Sequence, residues 1–318
     1  MRPNSSISNF KEFILRLLLP SIFILAIICL MLNYIFERNI IIKSENSGAY
    51  KVNRVLNGKN QFEIPIFGSS RALNSYIPDS ISKYAFNYGL NGAQDDIWLF
   101  FLKKELAKTR TSPIIINFDF NGLDSAKGDL QYYLYNSNDA EVRKIVGDDW
   151  QPYFNVPMVK YFGRVESYIT DYLKEKTELT RITNRGASLY KLVQSPKAFA
   201  AILKERRENG EVFRNSIQLR NELFRVLKEP RNREIYFVIA PYNKTYIESQ
   251  KNVNDAKSFL NELRTIPRVT VFDYSEFDLP DEDFFNTSHV NYKGAQIFSA
   301  ELRRRFLATA DSASFKLN

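Results

Sequence analysis

Apolar positions along the chain fall into two kinds of run. One is unbroken: Leu17 to Phe36, "LLLPSIFILAIICLMLNYIF", 20 residues without a charge. At 1.5 Å per helical residue it reaches about 30 Å, the hydrocarbon thickness of a bilayer. Pro20 sits in its first turn, where a missing N–H costs little. Cleaved signal peptides have shorter apolar stretches that end in small residues; this one runs into "NYIFERN", so it predicts an uncleaved membrane anchor. Arg2, Lys11 and Arg16 precede it against Glu12 alone, and Arg38 and Lys43 follow. That slight bias puts residues 1–16 in the cytoplasm and the bulk of the chain outside it.

The other runs are short and separated by amphipathic stretches. "FEIPIFG" (62–68), "YAFNYG" (84–89), "PIIINFDF" (113–120), "EIYFVIAP" (234–241) and "VTVFDY" (269–274) read as five buried strands. Between them Ile97, Trp98, Phe101, Leu102 and Leu106 recur at helical spacing, as do Leu219, Leu223, Phe224 and Leu227 behind a capping Ser216. Ile297, Phe298, Leu302 and Phe306 mark a last helix. Strands alternating with helices predict an α/β fold, a doubly wound parallel five-stranded sheet within a domain at 61–318. Residues 37–60 read as a polar linker. Residues 125–212 break the rhythm and predict a helical insertion, a lid or docking element.

Composition narrows the chemistry more than the fold. The net charge of +8 suits anionic surroundings, and no nucleic-acid-binding motif accompanies it. The one cysteine, Cys29, lies inside the apolar run, which excludes an intrachain disulfide and thiol catalysis in the exported part. With one histidine, His289, a His/Cys zinc site is excluded too. No cofactor or metal is expected.

In open parallel sheets, sites form beyond the carboxyl ends of the strands. There the sequence reads "GSSRALNSY" after the first strand, "NYGLNGAQ" after the second, "NFDFNG" after the third and "FFNTSHVNYKGA" after the fifth. These supply a hydroxyl (Ser70), a bare backbone N–H (Gly92), an amide (Asn121) and an imidazole (His289), the parts required for acyl transfer through a serine. Each also has a plainer reading. Ser70 would cap a helix, Gly92 and Asn121 would form turns, and His289 would be an incidental surface residue. Asn286 would hold the His289 loop as a turn residue. Arg71 would bind an anion or lie solvated on its helix.

The four stretches resemble, in order, the conserved blocks of the SGNH (GDSL) hydrolase superfamily. "GSSRA" behind a single N-terminal anchor is similar to its membrane-anchored cell-envelope acyltransferase and esterase branch, the DltD-like and AlgX/AlgJ-like proteins. The resemblance covers about residues 61–124 and 232–307. It implies a flavodoxin-like three-layer fold with Ser70 as nucleophile and His289 as base. The backbone N–H groups of Ser70 and Gly92 and the Asn121 amide would form the oxyanion hole. Two departures stand out: Ser69 replaces the aspartate of Gly-Asp-Ser, and Asn286 replaces the triad aspartate, with Asp283 a further candidate for orienting the imidazole. The implied activity is serine-dependent O-acyl transfer or ester hydrolysis, of acetyl esters, on cell-surface polysaccharide at the bacterial inner membrane, facing the periplasm. The implied partners are the polysaccharide or its acyl donor and a multispanning membrane O-acyltransferase. The alternative is a catalytically degenerate domain that binds glycan or scaffolds a modification complex.

Overall fold

The computed structural model describes residues 10–92, 95–124, 128–177 and 179–310. Its strands, in chain order, are β1 (Ile64–Phe67), β2 (Ala85–Asn87), β3 (Ile114–Asn117), β4 (Gly122–Leu123), β5 (Arg181–Asn184), β6 (Ala187–Tyr190), β7 (Arg214–Asn215), β8 (Ile235–Ile239) and β9 (Val269–Asp273). All five expected strands are present, and they form one sheet in the order β2-β1-β3-β8-β9. Every pairing in it is parallel. Strands buried on both faces lack polar alternation, which is why the sequence runs are continuous in Ile, Val and Phe.

One face of the sheet packs Ile66, Ile115 and Val238 against Tyr76, Phe298 and Leu302. On the other, Phe67 meets Phe101, while Phe118 meets Phe237 and stacks on Phe259. The helical stripes fall where expected, in Asp95–Leu106, Ile217–Lys228 and Tyr292–Ala310. Ser216 caps the second by accepting from the Leu219 N–H at 3.4 Å.

Charged groups are buried at the amino-terminal ends of the strands. Glu63 and Glu105 are shared among Arg54, Arg110, Arg233 and Lys108, and Tyr88 donates to Glu63 at 2.6 Å. Each ion thus has opposite-charge partners, the condition under which burial is tolerable. The carboxyl ends of the strands are left to the Ser70 and His289 segments.

The chain divides into two compact units, Met1–Tyr50 with Leu130–Lys176 and Lys51–Asp129 with Thr177–Asn318. The insertion read at 125–212 is therefore not one body. Its first part groups with the N-terminal segment. Its second part joins the sheet unit as the antiparallel β5–β6 hairpin and the helix Pro196–Asn209. The first unit carries a helix from Phe10 to Ile41, long and apolar enough to cross a membrane. The stretch read as a polar linker also differs: Gly48–Asn57 is helical. Ala49, Val52 and Val55, three apart, form its buried stripe, too sparse among polar residues to stand out in the sequence. Lys51 on this helix is fully buried and donates to the carbonyls of Gly89 (2.6 Å) and Gly186 (2.7 Å).

Candidate active site

The turn after β1 places Ser70 as the first residue of a short helix, Ser70–Ser75. Gly68 makes this turn with φ +143°, and a Cβ there would come within 2.9 Å of the Asn117 carbonyl oxygen. Only glycine lets the turn that carries Ser70 lie that close to β3. The helix cap is Ser69, not Ser70: the Ser69 hydroxyl accepts from the Arg71 N–H at 3.1 Å. The Ser70 side chain is left free for another partner. Its Oγ lies 2.9 Å from Nε2 of His289.

His289 stands on the returning arm of a closed loop, beside its bridged end. An antiparallel bridge joins Phe284 to Val290, and the Phe285 N–H donates to the His289 carbonyl at 2.9 Å. Phe284 and Val290 are buried together with Ala187, Leu189 and Phe199, so the β5–β6 hairpin supports the histidine loop from below. The other imidazole nitrogen, Nδ1, lies 3.0 Å from Asn286 Oδ1 and 3.1 Å from Ser288 Oγ.

The orientation of the Asn286 amide decides what this contact does. Its Oδ1 accepts from the backbone N–H groups of Ser288 and His289, both at 2.9 Å. A flipped amide would set Nδ2–H against two N–H donors. The oxygen is therefore held toward the ring, which assigns the Nδ1–H tautomer and leaves the Nε2 lone pair facing Ser70. An asparagine substituted into a serine-protease triad costs about 10⁴ in rate through the wrong tautomer; here the loop backbone enforces the right one. Asn286 is thus both the turn residue and the imidazole's partner.

The site is electropositive. Burial, followed by the Arg71 and Arg181 guanidinium groups, pushes the His289 imidazole down to about 3. Arg71 is neither solvated nor open to a ligand. It is buried, donates to the carbonyls of Ser288 (2.8 Å), Ala240 (2.7 Å) and Pro241 (2.8 Å), and lies 3.3 Å from the centre of the Tyr242 ring. It ties the Ser70 helix to the end of β8 and to the histidine loop.

Of the other expected residues, Gly92 lies in an exposed turn with φ +62° and open space where a Cβ would stand. Asn121 is exposed on the turn before β4, and its carbonyl accepts from the Arg214 N–H. No hydrogen bond joins Asn121 to Ser70 or His289 among the described residues. Asp283 is buried but pairs with Lys293 at 2.9 Å; Asn286 is the residue that meets the imidazole.

Asp119 was not among the residues expected from the sequence. It follows β3 and accepts from the Ser69 hydroxyl, from Asn117 Nδ2 (2.6 Å) and from Arg71 (3.3 Å). A carboxylate thus does stand beside the Ser69–Ser70 turn, but from the third strand end. The hairpin residues were also missed. Tyr190 stacks on Phe285 with ring centres 3.7 Å apart and turns its edge toward His289 at 6.1 Å, and Arg181 lies 4.0 Å over the Tyr190 ring. The "NFDF" motif was a readable signal for Asp119; nothing local marked the hairpin.

No protein-family model matches the chain, and no curated protein matches it.

Proposed function

We propose that this chain is a membrane-anchored SGNH-type acyl-transfer protein, acting outside the cytoplasm on ester groups, acetyl among them, of cell-surface polysaccharide. The observation that carries the reading is the relay Ser70 Oγ, His289 Nε2, His289 Nδ1 and Asn286 Oδ1, with contacts of 2.9 and 3.0 Å. A serine at the carboxyl end of a parallel strand, bonded to a half-buried neutral imidazole, is the arrangement acyl transfer requires.

In this mechanism Ser70 Oγ forms a bond to the ester carbonyl carbon while its proton passes to His289 Nε2. The carbonyl oxygen takes the negative charge. The backbone N–H of Ser70, in the first turn and without an intrahelical partner, receives it. Gly92 N–H and the Asn121 amide are the further donors that the family resemblance implies. The bond to the leaving alcohol then breaks, and that alkoxide takes the proton back from Nε2. In the second half, water or a glycan hydroxyl attacks the acyl-serine with His289 again as base, giving hydrolysis or transfer.

The test is turnover of p-nitrophenyl acetate by the full-length protein, with and without an acetyl-accepting oligosaccharide. The reading expects nitrophenol release that Ser70→Ala and His289→Ala abolish; equal rates for wild type and Ser70→Ala refute it. The lack of a carboxylate on the imidazole supports the alternative of a silent glycan-binding domain. That alternative expects glycan binding by wild type and by Ser70→Ala alike, with no turnover.

A further inference from the structure

The first unit ties a loop to the end of the apolar helix. The Met158 N–H donates to Asn33 Oδ1 at 2.8 Å. Two residues on, Lys160 pairs with Glu37 at 2.6 Å and the Tyr161 hydroxyl donates to Glu37 at 2.8 Å. Phe36 lies edge-on to Tyr161 and Tyr168, with ring centres 5.3 and 6.1 Å away. Met158 holds φ +60°, a backbone conformation that residues other than glycine rarely adopt. The loop is thus fixed against the helix at several points.

Between and beside these ties the loop turns apolar side chains outward. Val156 is 45% exposed, Val159 43% and Phe162 84%. Their position along the helix axis says what covers them. Arg16 bounds the apolar run on one side and Glu37 on the other. Asn33 lies four residues inside Glu37, a depth of about 6 Å along the axis. The polar headgroup layer on each side of the hydrocarbon is about 5–7 Å thick. A loop bonded to both Asn33 and Glu37 therefore lies at the edge of the hydrocarbon, where it meets that layer.

We propose that Val156–Phe162 is a second membrane contact, its Val156, Val159 and Phe162 side chains seated in the lipid headgroup layer where the anchor emerges. The occupant is lipid, because the loop continues a surface that already faces lipid. Aromatic and aliphatic side chains at such a depth are stabilised by partial transfer from water. The Lys160–Glu37 pair turns the loop's one charge toward the helix. The proposal rests on Leu17–Phe36 crossing the membrane, and the single native cysteine allows that premise to be checked separately.

The experiment places an environment-sensitive fluorophore on the full-length chain in phospholipid vesicles. It is attached to native Cys29, or to Phe162→Cys or Val159→Cys in a Cys29→Ser background. Quenching is compared between lipids carrying doxyl near the headgroup, lipids carrying it near the chain end, and aqueous iodide. Cys29 should respond most to the deep doxyl. Positions 159 and 162 should respond most to the shallow doxyl and lose most of their iodide quenching when vesicles are added to detergent-free buffer. If Cys29 is deep while iodide reaches 159 and 162 freely, the loop contact is wrong and the anchor stands. If neither lipid nor iodide reaches them, a protein covers the loop and the proposal is equally overturned. If iodide reaches Cys29, both fall together.

Discussion

Replacing Asn286 by Asp tests the electrostatics of the site without disturbing its shape. Oδ1 keeps its two backbone donors and its 3.0 Å contact to His289 Nδ1, and only the charge changes. A unit negative charge 3.0 Å from an imidazolium attracts it by about 5.5 kcal/mol at an effective dielectric constant of about 20. That corresponds to about 4 pKa units. The loop is partly open to solvent, and desolvation of the new carboxylate takes back part of this, so a net rise of about 2–4 pH units is expected. Wild-type His289, held down to about 3, should stay neutral through pH 5. The variant should titrate between about pH 5 and 7. Because the chain has one histidine, ¹³C labelling of that residue gives a single ring resonance to follow against pH. If wild-type His289 titrates near its ordinary value, or Asn286→Asp leaves it unmoved, the imidazole is not packed against this amide and the tautomer argument fails. The same variant should speed acylation of Ser70 by about 10–100-fold, less than the 10⁴ of the serine-protease case, since the tautomer is already correct.

The depressed imidazole also makes folding pH-dependent. Between pH 6.5 and about 3 the unfolded chain binds a proton that the folded one refuses, so stability is complete above 6.5 and is lost as pH falls. The slope reaches about 1.4 kcal/mol per pH unit for this group, and thermal unfolding of His289→Gln should lack that component. Gly68→Ala should destabilise by about 2 kcal/mol or more in the same assay, because both the φ of +143° and the Asn117 contact oppose a Cβ. Asp119→Asn removes the carboxylate from Arg71 and Ser69; a loss of about 2 kcal/mol is expected, together with slower acylation of Ser70 and an unchanged pH profile.

What the sequence made legible follows the range of the interactions involved. The five strands are continuous apolar runs, and the helical stripes repeat every three or four residues, so both could be read locally. Ser70 and His289 were singled out because sites form at strand ends. Their separation of 219 positions, closed to 2.9 Å, required the parallel sheet order and not any local signal. Asn286 looked like a loss because a carboxylate was expected. Its worth comes from two backbone N–H groups whose direction no sequence pattern encodes. Arg71 was misjudged for a related reason: its partners are carbonyls, which every residue carries. The β5–β6 hairpin was hidden in a segment of mostly helical pattern, and its role depends on burial against Phe284 and Val290 far along the chain. Asp119 was within reach, two residues beyond the last residue of β3, and was overlooked in favour of Asn121.

The central claim is that Ser70 is an activated nucleophile. Labelling of the full-length protein with a serine-directed fluorophosphonate, followed by mass mapping of the modified peptide, tests it most directly. The account predicts one adduct, on Ser70, that Ser70→Ala removes and His289→Ala reduces to background while both variants keep the wild-type unfolding temperature. A folded wild-type protein that takes no label, or takes it on another serine, contradicts the account.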